Sequence, residues 1–205
     1  MKGEDVVDRG VINTDEETIK ANVEYNIQRD FMQVQPYPTN DQEVMIVGGG
    51  PSVKEHLETI RQKRADGVKL ITINEAYKWC LDNGITPSAM VMVDARPFNA
   101  RFTQPVVDHC KYFIASQCDP TTFDGLPKDR TYIWHTSAEL LNDILAKHYK
   151  TWYPVPGGST VLLRSIPLFR MLGFKQFHLF GCDSCLDEKE VHHAYEQQEN
   201  DGQPI

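Results

Sequence analysis

Val44, Met45, Ile46 and Val47 run without a break into Gly48, Gly49 and Gly50, and then into Pro51 and Ser52. A short, wholly apolar run of this kind is a strand buried on both faces, the situation of a parallel sheet with helices on either side. The glycines end the strand with residues that tolerate any backbone angle. Pro51 suits the first turn of a helix and Ser52 suits its cap, so a helix over 52–63 is expected to open directly on the turn. Strand, glycine turn and helix N-terminus together make an anion site, because amides point outward and the helix dipole favours negative charge. The same residues serve equally as a tight strand-to-helix turn that binds nothing. Gly48 and Gly50 fit the dinucleotide spacing Gly-x-Gly-x-x-Gly, but Val53 stands at the third glycine position and no Gly-Lys-Ser/Thr makes a Walker loop.

The alternation continues along the chain. Strands are expected at 68–73, 89–93, 111–115, 131–134 and 176–180, and helices at 76–81, 101–109, 137–147 and from the Gly157-Gly158-Ser159-Thr160 turn to Leu172. Ahead of them, Thr14 and Glu17 have the spacing of a capping box, and Ile19, Val23, Ile27 and Phe31 recur every four residues. That stripe predicts a helix to about Gln33, behind a tail over 1–13 and packed on the outside of the domain. Residues 1–40 thus form an N-terminal tail and helix, and 41–205 a Rossmann-like α/β domain, a doubly wound and mostly parallel sheet in three αβα layers. No periodic element follows 176–180, which predicts that a C-terminal portion is missing.

Composition limits the partners. Asp and Glu number 29 against 21 Lys and Arg, a net charge of −8, which disfavours nucleic acid and anionic membrane surfaces. No apolar run is long enough to span a bilayer, and Met1 to Asp5 lack the basic start of a signal peptide. Five irregularly spaced cysteines fit reduced thiols, and together these features predict a cytoplasmic protein.

Ligands of doubly wound sheets sit at the carboxyl ends of the strands, and the polar clusters fall there. Asn74 and Glu75 follow the second strand of the Rossmann-like domain, where Asn74 can bind a sugar or base, or cap the next helix. Asp94 can hold a Mg²⁺ that bridges phosphates, or orient a hydroxyl, with Arg96 on a phosphate; the other use is an ion pair between the two within their turn. Gly158, Ser159 and Thr160 offer amides and hydroxyls to a second anionic or sugar group, or cap their helix. Asp183 is a carboxylate at the end of the last strand, and His192 or His193 is a candidate general base. Cys182 and Cys185 with the two histidines have a weak resemblance to a zinc set.

Taken in order, Val-Gly-Gly-Gly-Pro-Ser at 47–52, Ile-Asn-Glu-Ala at 73–76, Gly-Ile-Thr-Pro at 84–87 with Val93 and Asp94, Gly-Gly-Ser-Thr-Val at 157–161, and Leu-Gly-Phe with His-Leu-Phe-Gly-Cys-Asp-Ser within 172–184 resemble the MptE-like family. That family includes archaeal 6-hydroxymethyl-dihydropterin diphosphokinases and relatives of the motility accessory factors that glycosylate flagellin. The set is more distantly similar to bacterial sialyltransferases that use a CMP-linked sugar. The resemblance implies that Gly48, Gly50, Ser52 and Asn74 contact a nucleotide, that Gly158 and Ser159 form a second nucleotide-contacting loop, and that Gly181, Cys182 and Asp183 form the turn beside it. It places the sialyltransferases' catalytic histidine beyond Tyr195, where this chain has no matching position. The expected function is a nucleotide-dependent transfer, either of pyrophosphoryl from ATP to a hydroxyl-bearing acceptor with Mg²⁺ or of a glycosyl group from a nucleotide sugar; a non-catalytic nucleotide-binding module is the third expectation.

Overall fold

The computed structural model describes residues 14–158, 160–183, 194 and 195. The strands are β1 (Met32–Gln33), β2 (Glu43–Val47), β3 (Lys69–Ile73), β4 (Ala89–Met92), β5 (Lys111–Ala115), β6 (Thr131–Thr136), β7 (Pro154–Val155) and β8 (Gln176–Phe180). The helices are α1 (Glu16–Asn26), α2 (Leu57–Ala65), α3 (Ala76–Asp82), α4 (Asn142–His148) and α5 (Val161–Met171). The sheet order is β1-β6-β5-β4-β3-β2-β8, with β7 beside β6, and every pairing among the described residues is parallel. The chain steps from β2 across to β6 in one direction and then returns to lay β8 on the other side of β2. The reversal therefore lies at β2, whose carboxyl end carries the glycine turn.

Strand alternation divides the core between two faces. Val44, Ile46, Ile71 and Ile73 pack with Val23 of α1 and Ile27 just after it, Leu145 of α4 and Leu168 and Phe169 of α5. Met45, Val47 and Leu70 point the other way, onto Ile60 of α2 and Ala76 and Cys80 of α3. The result is the three-layer, doubly wound arrangement expected from the strand and helix rhythm. Val44 to Val47 have no accessible surface, and burying each such side chain contributes roughly 1.5–3 kcal/mol. Among the described residues no helix is long and apolar enough to cross a membrane.

Several local expectations are corrected. Asp15, not Thr14, caps α1, its carboxylate accepting from the Thr18 amide at 2.8 Å. The helical stretch stops with a 3-10 turn at Ile27–Arg29, because Asp30 takes a left-handed conformation (φ 61°), and Phe31 lies beyond it. The inward face of α1 is tied down: Asn22 and Asn26 are buried, with Val23 and Ile27, against the turns after β4 and β5. The helix expected over 52–63 opens as a 3-10 stretch, Pro51–His56, and becomes α-helical only at Leu57. The helix expected at 101–109 is a 3-10 stretch at Pro97–Thr103. The two-residue strands β1 and β7 are too short to leave a periodic signal.

Candidate functional site

The glycine turn meets the exit of β8 rather than open space. Gly48 N–H donates to Phe180 O and Gly50 N–H to Gly181 O, both at 2.8 Å, while Ser52 gives its amide and hydroxyl to the Asp183 carboxylate at 3.0 and 2.6 Å. A Cβ on Gly48 would lie 2.5 Å from Gly181 O, and one on Gly50 would lie 2.7 Å from Asp183 Oδ2. These two positions are glycine because another stretch of backbone and a carboxylate occupy the space a side chain needs. The expectation of outward amides at Gly48, Gly50 and Ser52 is thereby corrected: neighbouring residues already take those donors. Gly49 O accepts from the amide of Ala194 at 2.8 Å. The anion at this turn is the protein's own Asp183.

One turn further into the sheet, at the end of β3, Asn74 stands in the left-handed region (φ 48°). Its amide donates to Val91 O at 3.3 Å. The first helical cap position is taken by Glu75, with no side-chain capping bond, so Asn74 does not cap α3. Its Oδ1 is buried and accepts no hydrogen bond from any described residue. An amide oxygen without a donor costs about 1–3 kcal/mol, and an Asn in a left-handed turn adds backbone strain of the kind found at ligand sites. Tyr195 is packed close by: burial, then Glu75, then Cys80 raise its hydroxyl's pKa.

At the end of β4, Asp94 and Arg96 form the ion pair that was the alternative to phosphate and metal binding. Arg96 donates from its backbone N–H, Nε and Nη2 to both Asp94 oxygens, at 2.6 to 3.2 Å. Its guanidinium also lies 4.7 Å from the centre of the Phe98 ring. Three buried or half-buried amides hold the surrounding turns together. Asn22 Nδ2 donates to Gln117 O at 3.1 Å and Asn26 Nδ2 to Ser116 O and Cys118 O at 3.0 and 2.7 Å. Gln117 Nε2 in turn donates to Val93 O at 3.0 Å while its Oε1 accepts from Thr136 Oγ1 at 2.7 Å. These positioning residues were not anticipated. A 3.6-residue stripe reveals a helix's apolar face, but not an asparagine inside that face that reaches a turn about 90 residues away.

At the second glycine turn, Thr160 Oγ1 caps α5 by accepting from Leu163 N–H at 3.2 Å. Beside Gly158 lies the Cδ1 of the half-exposed Leu163 side chain, 2.6 Å from where an added Cβ would stand. Ser159 lies outside the described residues. Arg164, in the first turn of α5, went unnoticed in the sequence: its Nη1 is buried and has no acceptor, and burial lowers its pKa.

The Mg²⁺ expected on Asp94 does not fit the carboxylate as it stands, since both oxygens accept from a guanidinium that would repel a second cation. Asp183 accepts from the neutral amide and hydroxyl of Ser52, one on each oxygen. Among the described residues no three metal-ligating side chains converge. Cys182 is a free thiol whose pKa is pushed up to about 11 by burial and by Asp183, which disfavours the thiolate a zinc site needs. Cys185, His192 and His193 lie outside the described residues.

Fold and site together define a doubly wound parallel α/β domain whose polar residues are gathered at the carboxyl edge around the β2 reversal. The family model described as 6-hydroxymethylpterin diphosphokinase MptE-like matches residues 17–189, and the chain belongs to that family. Solved structures of the same fold include the MAf glycosyltransferase from Magnetospirillum magneticum AMB-1, with 20% identity and a TM-score of 0.69, covering 86% of this chain. The chain spans 28% of that protein's length. A mammalian sialyltransferase, in complex with Gal-beta-1-3GalNAc-ortho-nitrophenol, is matched at 14% identity with a TM-score of 0.48, over 91% of this chain and 78% of that one. No curated protein matches the sequence.

Proposed function

We propose that the carboxyl edge binds a nucleotide and that the chain is a nucleotide-dependent transferase, moving a pyrophosphoryl group from ATP to a hydroxyl of a small-molecule acceptor. The observation that carries the reading is Asn74. Its buried Oδ1, without a donor among the described residues, sits in a left-handed turn at the end of a central strand, between the turns that follow β2 and β4. A ribose hydroxyl or a base amino group supplies the missing donor. Family membership supports the pyrophosphoryl version. In that version the work of the protein is alignment and charge stabilisation, with the network of Asn22, Asn26 and Gln117 holding the Asp94 turn in place.

A second reading, glycosyl transfer from a nucleotide sugar, is favoured by one observation: Asp94 and Asp183 are both engaged by donors of the chain itself, and neither presents bare oxygens to a hard cation. Calorimetric titration with ATP plus Mg²⁺, set against CMP- and UDP-sugars, separates the two. Saturable binding of ATP that Asn74→Gly weakens supports the first; tight, metal-independent binding of a nucleotide sugar, with none of ATP, replaces it with the second. A chain that binds neither loses the transferase reading altogether.

A further inference from the structure

A cavity among the described residues lies at the other end of the sheet. It encloses about 930 Å³ where the strands begin, on the face covered by α5, and is bounded by the 32–42 segment and by the end of α5. Ile71, which lines it, stands three positions before Asn74, so roughly 10 Å of strand separates it from that edge.

Register explains its lining. Ile71 pairs with Ala89 and Ala89 with Lys111, while Phe113 pairs with Tyr132. Paired residues of a parallel sheet share a face, and Lys69 and Phe113 each stand two positions from a member of the row. Lys69 and Lys111 thus project from the same face as a floor of Ile71, Ala89, Phe113 and Tyr132. The Phe113 and Tyr132 rings stack at 5.1 Å and 16°, and Phe169 meets Phe113 edge-on at 5.4 Å. Lys111 Nζ lies 5.6 Å from the centre of the Tyr132 ring.

The charge of this cavity is opposite to that of the molecule. Arg64, Lys69 and Lys111 line it, and among the described residues no Asp or Glu does, in a chain of net charge −8. Lys69 and Lys111 are exposed and form no ion pair with a described carboxylate. His109 holds a left-handed backbone (φ 64°), the conformational strain that a binding rim can retain. Gln35 and Gln42 add carboxamides on the wall formed by the 32–42 segment. An aromatic floor, a row of unpaired cations and amide-bearing walls within this volume match a ligand with a flat ring and a phosphate.

We propose that this strand-start cavity is a second ligand site, taking a mononucleotide-sized molecule with its phosphate between Lys69 and Lys111 and its ring over Tyr132. The proposal is independent of the Asn74 site and of the reaction assigned to it. Its test is calorimetric titration of the full chain with adenosine 5′-monophosphate, ribose 5-phosphate and inorganic phosphate, repeated on Lys69→Gln/Lys111→Gln, Tyr132→Leu and Asn74→Gly. Expected is adenosine monophosphate binding weakened about tenfold by the double lysine variant, reduced to the ribose 5-phosphate level by Tyr132→Leu, and unchanged at one site by Asn74→Gly. Because the lysines are exposed, the double variant folds, and circular dichroism checks this. Absence of saturable binding overturns the proposal, as does binding lost in Asn74→Gly but kept in the lysine variant. Equal affinity for phosphate and the mononucleotide overturns the nucleotide assignment, and a lysine effect confined to the sedimentation coefficient reassigns the cavity to contacts between chains.

Discussion

Ser52 donates both its amide and its hydroxyl to one carboxylate, that of Asp183, so the turn after β2 is locked to the exit of β8 by a pair of charge-assisted bonds at 3.0 and 2.6 Å. The two strands are neighbours at the sheet's reversal. The lock ties together the two strands that flank the reversal, beside which a doubly wound sheet ordinarily receives its ligand.

Asp183→Asn keeps the shape of that carboxylate but turns an amide nitrogen toward donors. Urea denaturation should register a loss of about 1.5–3 kcal/mol, the usual worth of hydrogen bonds to a charged group. A loss below ~0.5 kcal/mol would mean the lock is already open in solution.

Gly48→Ala introduces a methyl 2.5 Å from Gly181 O, which is backbone one residue past the adjacent β8 and has little freedom to retreat. Expected is a destabilisation of roughly 2–4 kcal/mol, typical of overpacking against a rigid neighbour, with Gly67→Ala as the contrast. Gly67 has open space around it, so only the cost of its positive φ (91°) should appear there, about 1 kcal/mol. Thermal melts of the two variants make the comparison.

Asn74→Gly removes the buried amide oxygen while retaining a residue at ease at φ 48°. Stability should hold or rise, because the uncompensated oxygen and its cost of about 1–3 kcal/mol are removed, less the roughly 0.5–1 kcal/mol entropic cost of glycine, while nucleotide affinity should drop about tenfold. The two measurements together separate a ligand contact from a structural one.

Asn26→Asp would direct a carboxylate at Ser116 O and Cys118 O, which now accept from Nδ2 at 3.0 and 2.7 Å. It should be more damaging than Asn26→Ala, with losses of roughly 3–5 kcal/mol against 1–3 kcal/mol, since a buried charge is left facing two carbonyls. Equilibrium unfolding of both variants at neutral pH is the check; equal losses would contradict the geometry.

His135 is wholly buried, its Nδ1 3.0 Å from Ser116 Oγ and its Nε2 3.2 Å from the Gln33 amide. Burial, with a smaller contribution from His148, lowers its pKa from 6.5 to about 4. The imidazole is therefore neutral when folded, and the unfolded chain binds the extra proton between pH 6.5 and 4. Its contribution to stability is present above pH 6.5 and is lost as pH falls toward 4, a change of roughly 3 kcal/mol. His135→Gln should be less stable at pH 7 yet show a flatter acid limb, by up to one proton, in denaturation midpoints measured across that range. A variant limb as steep as the wild type would assign the acid sensitivity to other groups.

Most of the layout was legible in the sequence because local rules dominate it. Wholly apolar four- and five-residue runs can only be buried strands between covering helices, and Asn83-Gly84 and the residues after Leu172 end helices by rules that need no tertiary partner. The family resemblance followed from the ordered motifs and is matched over residues 17–189. Less legible were the places where the chain departs from the simplest local form. Pro51–His56 satisfies every rule for a helix start, yet winds as a 3-10 stretch while Ser52 is drawn to Asp183.

The sequence by itself determined that a parallel, doubly wound sheet would form and that its polar residues would gather at the strand exits, since periodicity and glycine placement act between near neighbours. Only the tertiary structure decided what those residues face: Asp183 lies 131 positions from Ser52, and Asn26 lies 90 from Ser116. A hydrogen bond across such a separation depends on where two distant turns are brought together, and no local pattern records that. The same holds for the cation-lined cavity, whose lysines share a face through strand register alone.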